Sequence, residues 1–141
     1  MLQSGVPSWS NRSGKSSRPL PNAIIEFVVD VKRRRVVVRF RNRITLEDIA
    51  HYAKQLASHP GFQPTFSEIT DLRDVEELDL QADDYLKLAD EVDPFSPDAK
   101  RAFVVRTQVQ SHAARLHRIL RAKRNVQIFE SFEDAEGWVG E

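Results

Sequence analysis

The chain has 141 residues, enough for one domain with a core that should bury about two-thirds of the surface its unfolded form exposes. Its 21 basic residues balance 21 acidic ones, so net charge directs it to no nucleic acid; the lack of cysteine excludes disulfides and thiolate metal sites and fits a cytoplasmic setting. No apolar run approaches the roughly 20 residues of a membrane span, and the first residues show no apolar signal-peptide core.

Residues 1–22, MLQSGVPSWSNRSGKSSRPLPN, are rich in Ser, Pro and Gly, hold three basic residues and no acid, and lack apolar periodicity. Such a composition buries too little surface to offset its ordering entropy, which predicts a disordered tail ahead of a single domain over 23–141. AIIEFVVDV and RVVVRF then form two β-branched runs joined by VKRRR, the pattern of an antiparallel hairpin with a charged tip. Thr45 with Asp48 three residues on reads as a helix cap, and Leu46, Ile49, Ala50, Ala53, Leu56 and Ala57 recur on one helical face. His59-Pro60-Gly61 ends that helix.

TFSEITDL alternates as a strand, and Ala82, Tyr85, Leu86, Ala89 and Val92 predict a second amphipathic helix that the Pro94–Pro97 segment breaks. RAFVVRT is a further strand, and Val109, Ala113, Leu116 and Leu120 would line the buried face of a third helix. VQIFE makes a short strand, and Ser131 with Asp134 opens a last helix carrying Ala135, Trp138 and Val139. A hairpin followed by strand-helix alternation is an α/β layer fold: a mixed sheet of about five strands with about four helices.

The order of elements and certain motifs resemble a known group. The helix-opening T-L-E-D at Thr45–Asp48, the D-L-R-D-V at Asp71–Val75 and the closing F-E-D-A-x-x-W at Phe132–Trp138 are similar to those of the SpoIIAA-like small STAS and SEC14-related domains, over residues 24–139. The resemblance implies a role in regulation or binding. In anti-sigma-factor antagonists of that superfamily, a strand-end Asp leads through a loop to an Asp-Ser pair whose serine is phosphorylated. In this frame Asp71 stands at the strand end and Asp79 in the loop, but Leu80 and Gln81 occupy the serine positions. Neither accepts a phosphoryl group, so the charge switch has nowhere to attach.

Catalytic and metal chemistries find no pattern to support them. A receiver-type phosphoaspartate at Asp71 would need an acidic pair after the first strand and a Lys after the last; here Asp30 runs into a basic hairpin and VQIFES has no Lys. Asp71, Asp74 and Asp79 lack both the spacing and the glycine of a calcium loop. His112 and His117, five apart, diverge by about 140° on a helix, and His51 lies on another element, so the histidines read as surface imidazoles. No nucleophile elbow, Walker loop or dinucleotide fingerprint occurs. The expectation is a protein that is not an enzyme and needs no cofactor.

Charge is nonetheless segregated. Residues 68–93 hold eleven acids against Arg73 and Lys87, and residues 99–129 hold eight bases and no acid. The expected function is a non-catalytic regulatory or protein-interaction module, with a protein partner or self-association and no nucleic acid, since the basic stretch lacks interleaved aromatics. Candidate binding residues are Asp71, Arg73, Asp74 and Asp79 on the acidic side and Arg115 and Arg118 on the third helix, with Ile119 as an apolar anchor. The alternative, which the SEC14 side of the resemblance implies, is a small apolar-ligand or lipid-binding protein, for which a drug-sized ligand would need a cavity of about 300 Å³ or more.

Overall fold

A computed structural model describes residues 24–121 and 125–141; the expected tail lies outside them. Strands β1 (Ile25–Asp30) and β2 (Arg35–Thr45) form the antiparallel hairpin, and β3 (Ser67–Asp79), β4 (Arg101–Val104) and β5 (Val126–Phe129) add in parallel, giving a five-stranded sheet in the order β1-β2-β3-β4-β5. Helix α1 (Leu46–Ala57) links β2 to β3, α2 (Ala82–Lys87) lies between β3 and β4, α3 (Gln108–Arg121) links β4 to β5, and α4 (Phe132–Val139) follows β5. Among the described residues no helix is long and apolar enough to cross a membrane.

Alternation along the strands divides the core in two. Val36, Val38 and Phe40 of β2 meet Tyr52 and Leu56 of α1, Phe103 of β4 and Ala114 of α3 on one face. Val37, Ile69, Ala102 and Val104 meet Ala135 and Val139 of α4 on the other. Sequentially ordered parallel strands with crossovers of one hand place every connecting helix on the same side, which explains why only α4, having no strand after it, reaches the second face.

Local signals set several boundaries. Thr45 Oγ1 accepts the Asp48 N–H at 3.2 Å while the Asp48 carboxylate accepts the Thr45 N–H at 2.8 Å, a reciprocal cap on α1. Ser131 Oγ accepts the Asp134 N–H at 3.2 Å and opens α4 in the same manner.

Three expectations need correction. The strand expected to end at Asp71 continues to Asp79, so the acidic stretch is extended chain and not a loop. It stays paired because β3 twice carries an extra residue against β2: Arg39 and Arg41 face Asp71 and Asp74, and Asn42 and Arg43 face Val75 and Glu77. Asn42 absorbs part of the distortion at φ 62°, a left-handed conformation that Asn tolerates.

The second helix is short and passes into a π-helical turn at Leu88–Val92. A π turn inserts one residue into the helical repeat and rotates the side chains beyond it. Leu88 and Ala89 are buried, whereas Leu86, expected inside, is exposed on the preceding α-helical turn.

The third helix is turned by about one residue from the expected stripe. Val109 is 64% exposed, whereas Gln110 is 1% exposed and Ala113 and Ala114 are buried. Gln110 can lie inside because its amide is fully used: Oε1 accepts the N–H groups of Arg106 at 2.7 Å and Thr107 at 3.2 Å, and Nε2 donates to the Val75 carbonyl at 2.9 Å. It fastens the irregular end of β3 to the start of α3. Val109→Ala is expected to change the urea-unfolding free energy by less than about 0.5 kcal/mol. Gln110→Ala, which orphans buried backbone groups on both elements, should lower it by about 2–3 kcal/mol, and the opposite ranking would contradict this helix phase.

Candidate functional site

Glu68 and Arg101 are register partners on β3 and β4, each on the face that α1 and α3 cover. In adjacent strands that places opposite charges side by side within the core. Glu68 is 3% exposed and Arg101 6%. Arg101 donates to Glu68 Oε1 from Nε at 2.9 Å and from Nη2 at 2.6 Å, and to Asp93 Oδ2 from Nη1 at 2.7 Å. All three of its nitrogens are thus engaged. Tyr52 on α1 donates its hydroxyl to Glu68 Oε2 at 2.6 Å.

Asp93 comes from the turn that ends the π segment. Its Oδ1 accepts the Phe95 N–H at 2.9 Å across Pro94, which fixes the carboxylate, and the Phe95 ring stacks on the guanidinium with its centroid 4.2 Å from Arg101 Cζ. His117 of α3, expected at the surface, is largely buried, with Nε2 3.9 Å from Asp93 Oδ2 and its ring edge-on to Phe103. The buried phase of α3 turns it inward.

The electrostatics follow from burial and pairing. Burial opposes the charge of Arg101, and attraction from Glu68 and Asp93 overrides it, raising its pKa above the ordinary guanidinium value. Burial first, and then the negative charge of Glu68, pushes the Tyr52 phenol well above its usual value near 10.0, so it remains a hydrogen-bond donor. The cluster thus gathers two carboxylates around one guanidinium.

This cluster forms part of the wall of an apolar chamber of about 100 Å³ between the sheet and its helices. Phe40, Leu72 and Phe103 line it from the sheet, Ile49 and Ala53 from α1, Ala113 and Ala114 from α3. The segment 80–95 borders it with Leu80, Tyr85, Leu88, Val92, Asp93, Pro94 and Phe95, and it remains partly open to solvent. A wider groove of about 300 Å³ runs between Ile24, Ile25 and the α1 residues Asp48, His51 and Gln55, with Tyr52 common to both. Its mixed lining and its position at the edge of the described residues make it the weaker candidate.

The residues singled out in the sequence fall elsewhere. Asp71 is buried and held in bidentate fashion by Arg73, through Nε and Nη2 at 2.9 Å each, and this bond chiefly raises the pKa of Arg73. Asp74 pairs with Arg39 at 3.1 Å, and Asp79 with Arg43. These acids are joined to neighbouring strand arginines rather than gathered on a ligand. Arg115 and Arg118 lie on α3, where Arg115 donates to Ser111 Oγ at 2.9 Å, and neither shares an ion pair with the β3 acids.

Sequence reasoning passed over Glu68, Arg101, Asp93 and Tyr52. A signal was present: Glu68 sits in phase with Phe66 and Leu72, and Arg101 in phase with Phe103, so both strands carry a charge at a core position. Arg101→Met, which strands two buried carboxylates, is expected to lower the unfolding free energy by about 3–5 kcal/mol. Tyr52→Phe leaves the ions paired and should cost only about 1 kcal/mol; equally small losses for both would show that water reaches the cluster.

No protein-family model matches the chain, and no curated protein matches it. Among solved structures it is similar to an uncharacterized protein of the DUF3478 family with a SpoIIAA-like fold from Shewanella loihica PV-4, with 22% identity, covering 89% of this chain and 99% of that one at a TM-score of 0.60. The mixed five-stranded sheet, its four helices and this likeness together identify the chain as a SpoIIAA-like domain in fold.

Proposed function

We propose that this domain is a non-catalytic STAS-like module that acts by binding, and that its ligand is a small apolar molecule seated in the chamber. The observation that carries this reading is a chamber with largely apolar walls beside a charged cluster whose ions are already bonded to one another. Its volume of about 100 Å³ sets the size of the guest. An apolar cavity of about 150 Å³ takes up benzene, whereas drug-sized ligands occupy about 300 Å³ or more. A guest smaller than benzene, such as a short alkyl chain, suits the space, and a lipid with full-length acyl chains does not.

The segment 80–95 gives such a guest a way to be read. It contributes seven side chains to the wall and contains the π turn, a feature that recurs at functional sites. A guest that favours one position of this cover shifts its population, which supplies a regulatory output without chemistry. Titrating the ¹⁵N-labelled protein with dissolved xenon should give saturable amide shifts concentrated at Leu72, Leu88, Phe103 and Ala113, and Ala113→Leu should abolish them. Unsaturable or scattered shifts would remove the reading.

A second reading, contact between copies of this chain at α3, is favoured by two exposed apolar side chains there, Val109 and Ile119, the latter 69% exposed. Arg115 and Arg118 flank Ile119, and the acids of α2 offer opposite charge on a second copy of a net-neutral chain. Exposed pairs contribute about 0–1 kcal/mol each and orient such a contact rather than drive it. Sedimentation velocity should show association that rises with concentration, weakens with salt and is lost in the Arg115→Glu, Arg118→Glu double mutant. A monomer throughout the series would exclude it.

A further inference from the structure

We propose that the edge strand β1 pairs antiparallel with β1 of a second copy of this chain across a twofold axis, joining the two sheets into one. Among the described residues β1 bonds to β2 alone, and the other edge strand, β5, is only four residues long. Proteins blunt an exposed edge with a lysine, a proline, a bulge or brevity. β1, IEFVVD, runs for six residues with neither Lys nor Pro and keeps an unbroken register from Ile25 to Asp30. The bond from the Arg41 N–H to the Ile24 carbonyl sets the phase of the ladder: bonded pairs fall at every second residue, so Ile25, Phe27 and Val29 turn their N–H and C=O groups outward. The same three carry their side chains on the core face. An incoming strand thus meets donors, acceptors and an apolar row together.

The strand is complementary to itself, which makes a second copy the occupant and fixes the register. An antiparallel pair joined through the outward groups can set Phe27 against its own counterpart or slide by two residues either way. One slide opposes Glu26 to Glu26 of the second copy and the other opposes Glu26 to Asp30, so both place like charges side by side. With Phe27 centred, Glu26 faces Val28, Ile25 faces Val29, and no like charges meet. Val29 of the second copy then arrives beside the groove of about 300 Å³ that Ile24 and Ile25 form with α1. Asp30 faces Ile24, which carries the exposed Lys32 at one hairpin tip to the end of the other copy where Glu47 and Asp48 begin α1. Opposite charges therefore meet at both ends of the pair, and a chain of zero net charge adds no bulk repulsion. This edge is an alternative to the contact at α3, which joins β4 to β5 at the far side of the sheet.

Sedimentation velocity from about 1 μM to about 1 mM protein should show a monomer–dimer equilibrium. At the upper end the amide protons of Ile25, Phe27 and Val29 should exchange more slowly with solvent than in dilute protein. Val28→Glu sets a carboxylate against Glu26 of the other copy twice in each dimer and should raise the Kd at least about tenfold. Val28 belongs to neither core cluster, so the fold tolerates the change. Adding Glu26→Lys to that variant turns the clash into an opposite-charge pair and should restore the dimer, and the Arg115→Glu, Arg118→Glu double mutant should dimerise as the wild type does. A monomer at every concentration overturns the proposal, as does a dimer indifferent to Val28→Glu or one whose three amides exchange at the monomer's rate. Failure of Glu26→Lys to restore association overturns the register, and a dimer lost only in the arginine double mutant places the interface at α3 and overturns the pairing of β1.

Discussion

Arg101 is the side chain on which the rest of the arrangement depends. A guanidinium buried in an apolar core is tolerated only if its charge and its donors are met, and here two carboxylates and an aromatic face meet them. Because the bonds are directional, they set positions that apolar packing leaves loose. Glu68 fixes β3 against β4, Tyr52 ties α1 to the same carboxylate, and Asp93 brings the end of the π turn over the sheet. One side chain thereby orients a strand pair, a helix and the cover of the chamber.

The chamber is a consequence of that arrangement. Bonded polar groups cannot shift to fill a neighbouring space as an aliphatic chain can, and the helices facing them present Ala53, Ala113 and Ala114 rather than larger residues. The sheet wall is equally fixed, since Gln110 and the Arg106 guanidinium hold the irregular end of β3 through the carbonyls of Val75 and Arg73. Rigid walls with small residues opposite them leave an open volume, and a volume bounded by apolar atoms favours an apolar guest over water. On the opposite face, where Val139 and Ala135 of α4 close against Ile69 and Val104, small and branched side chains interlock.

Features decided by neighbours in the chain were legible in the sequence. The hairpin, the caps at Thr45 and Ser131 and the break at Pro94 depend on residues a few positions apart, and each stands where the residues placed it. The extension of β3 was not legible, because two extra residues disrupt its alternation and its pairing depends on an 11-residue partner strand far away in sequence. The phase of α3 was hidden because a buried Gln110 is acceptable only once the backbone of Arg106, Thr107 and Val75 surrounds it. The site was half legible: alternation places Glu68 and Arg101 inward, but Asp93 and Tyr52 join them only through tertiary structure. Acid density drew the eye to Asp71, Asp74 and Asp79, whose partners Arg73, Arg39 and Arg43 lie along the same two strands.

The central claim is that a charged cluster held by Arg101 keeps an apolar chamber open inside a SpoIIAA-like domain. A crystal of the protein pressurised with xenon tests it most directly, since xenon enters apolar cavities without needing a hydrogen bond. The account predicts a xenon peak between Leu72, Leu88 and Phe103, beside an undisturbed Glu68–Arg101–Asp93 cluster. Side chains collapsed into that volume, with xenon bound only elsewhere, would contradict it.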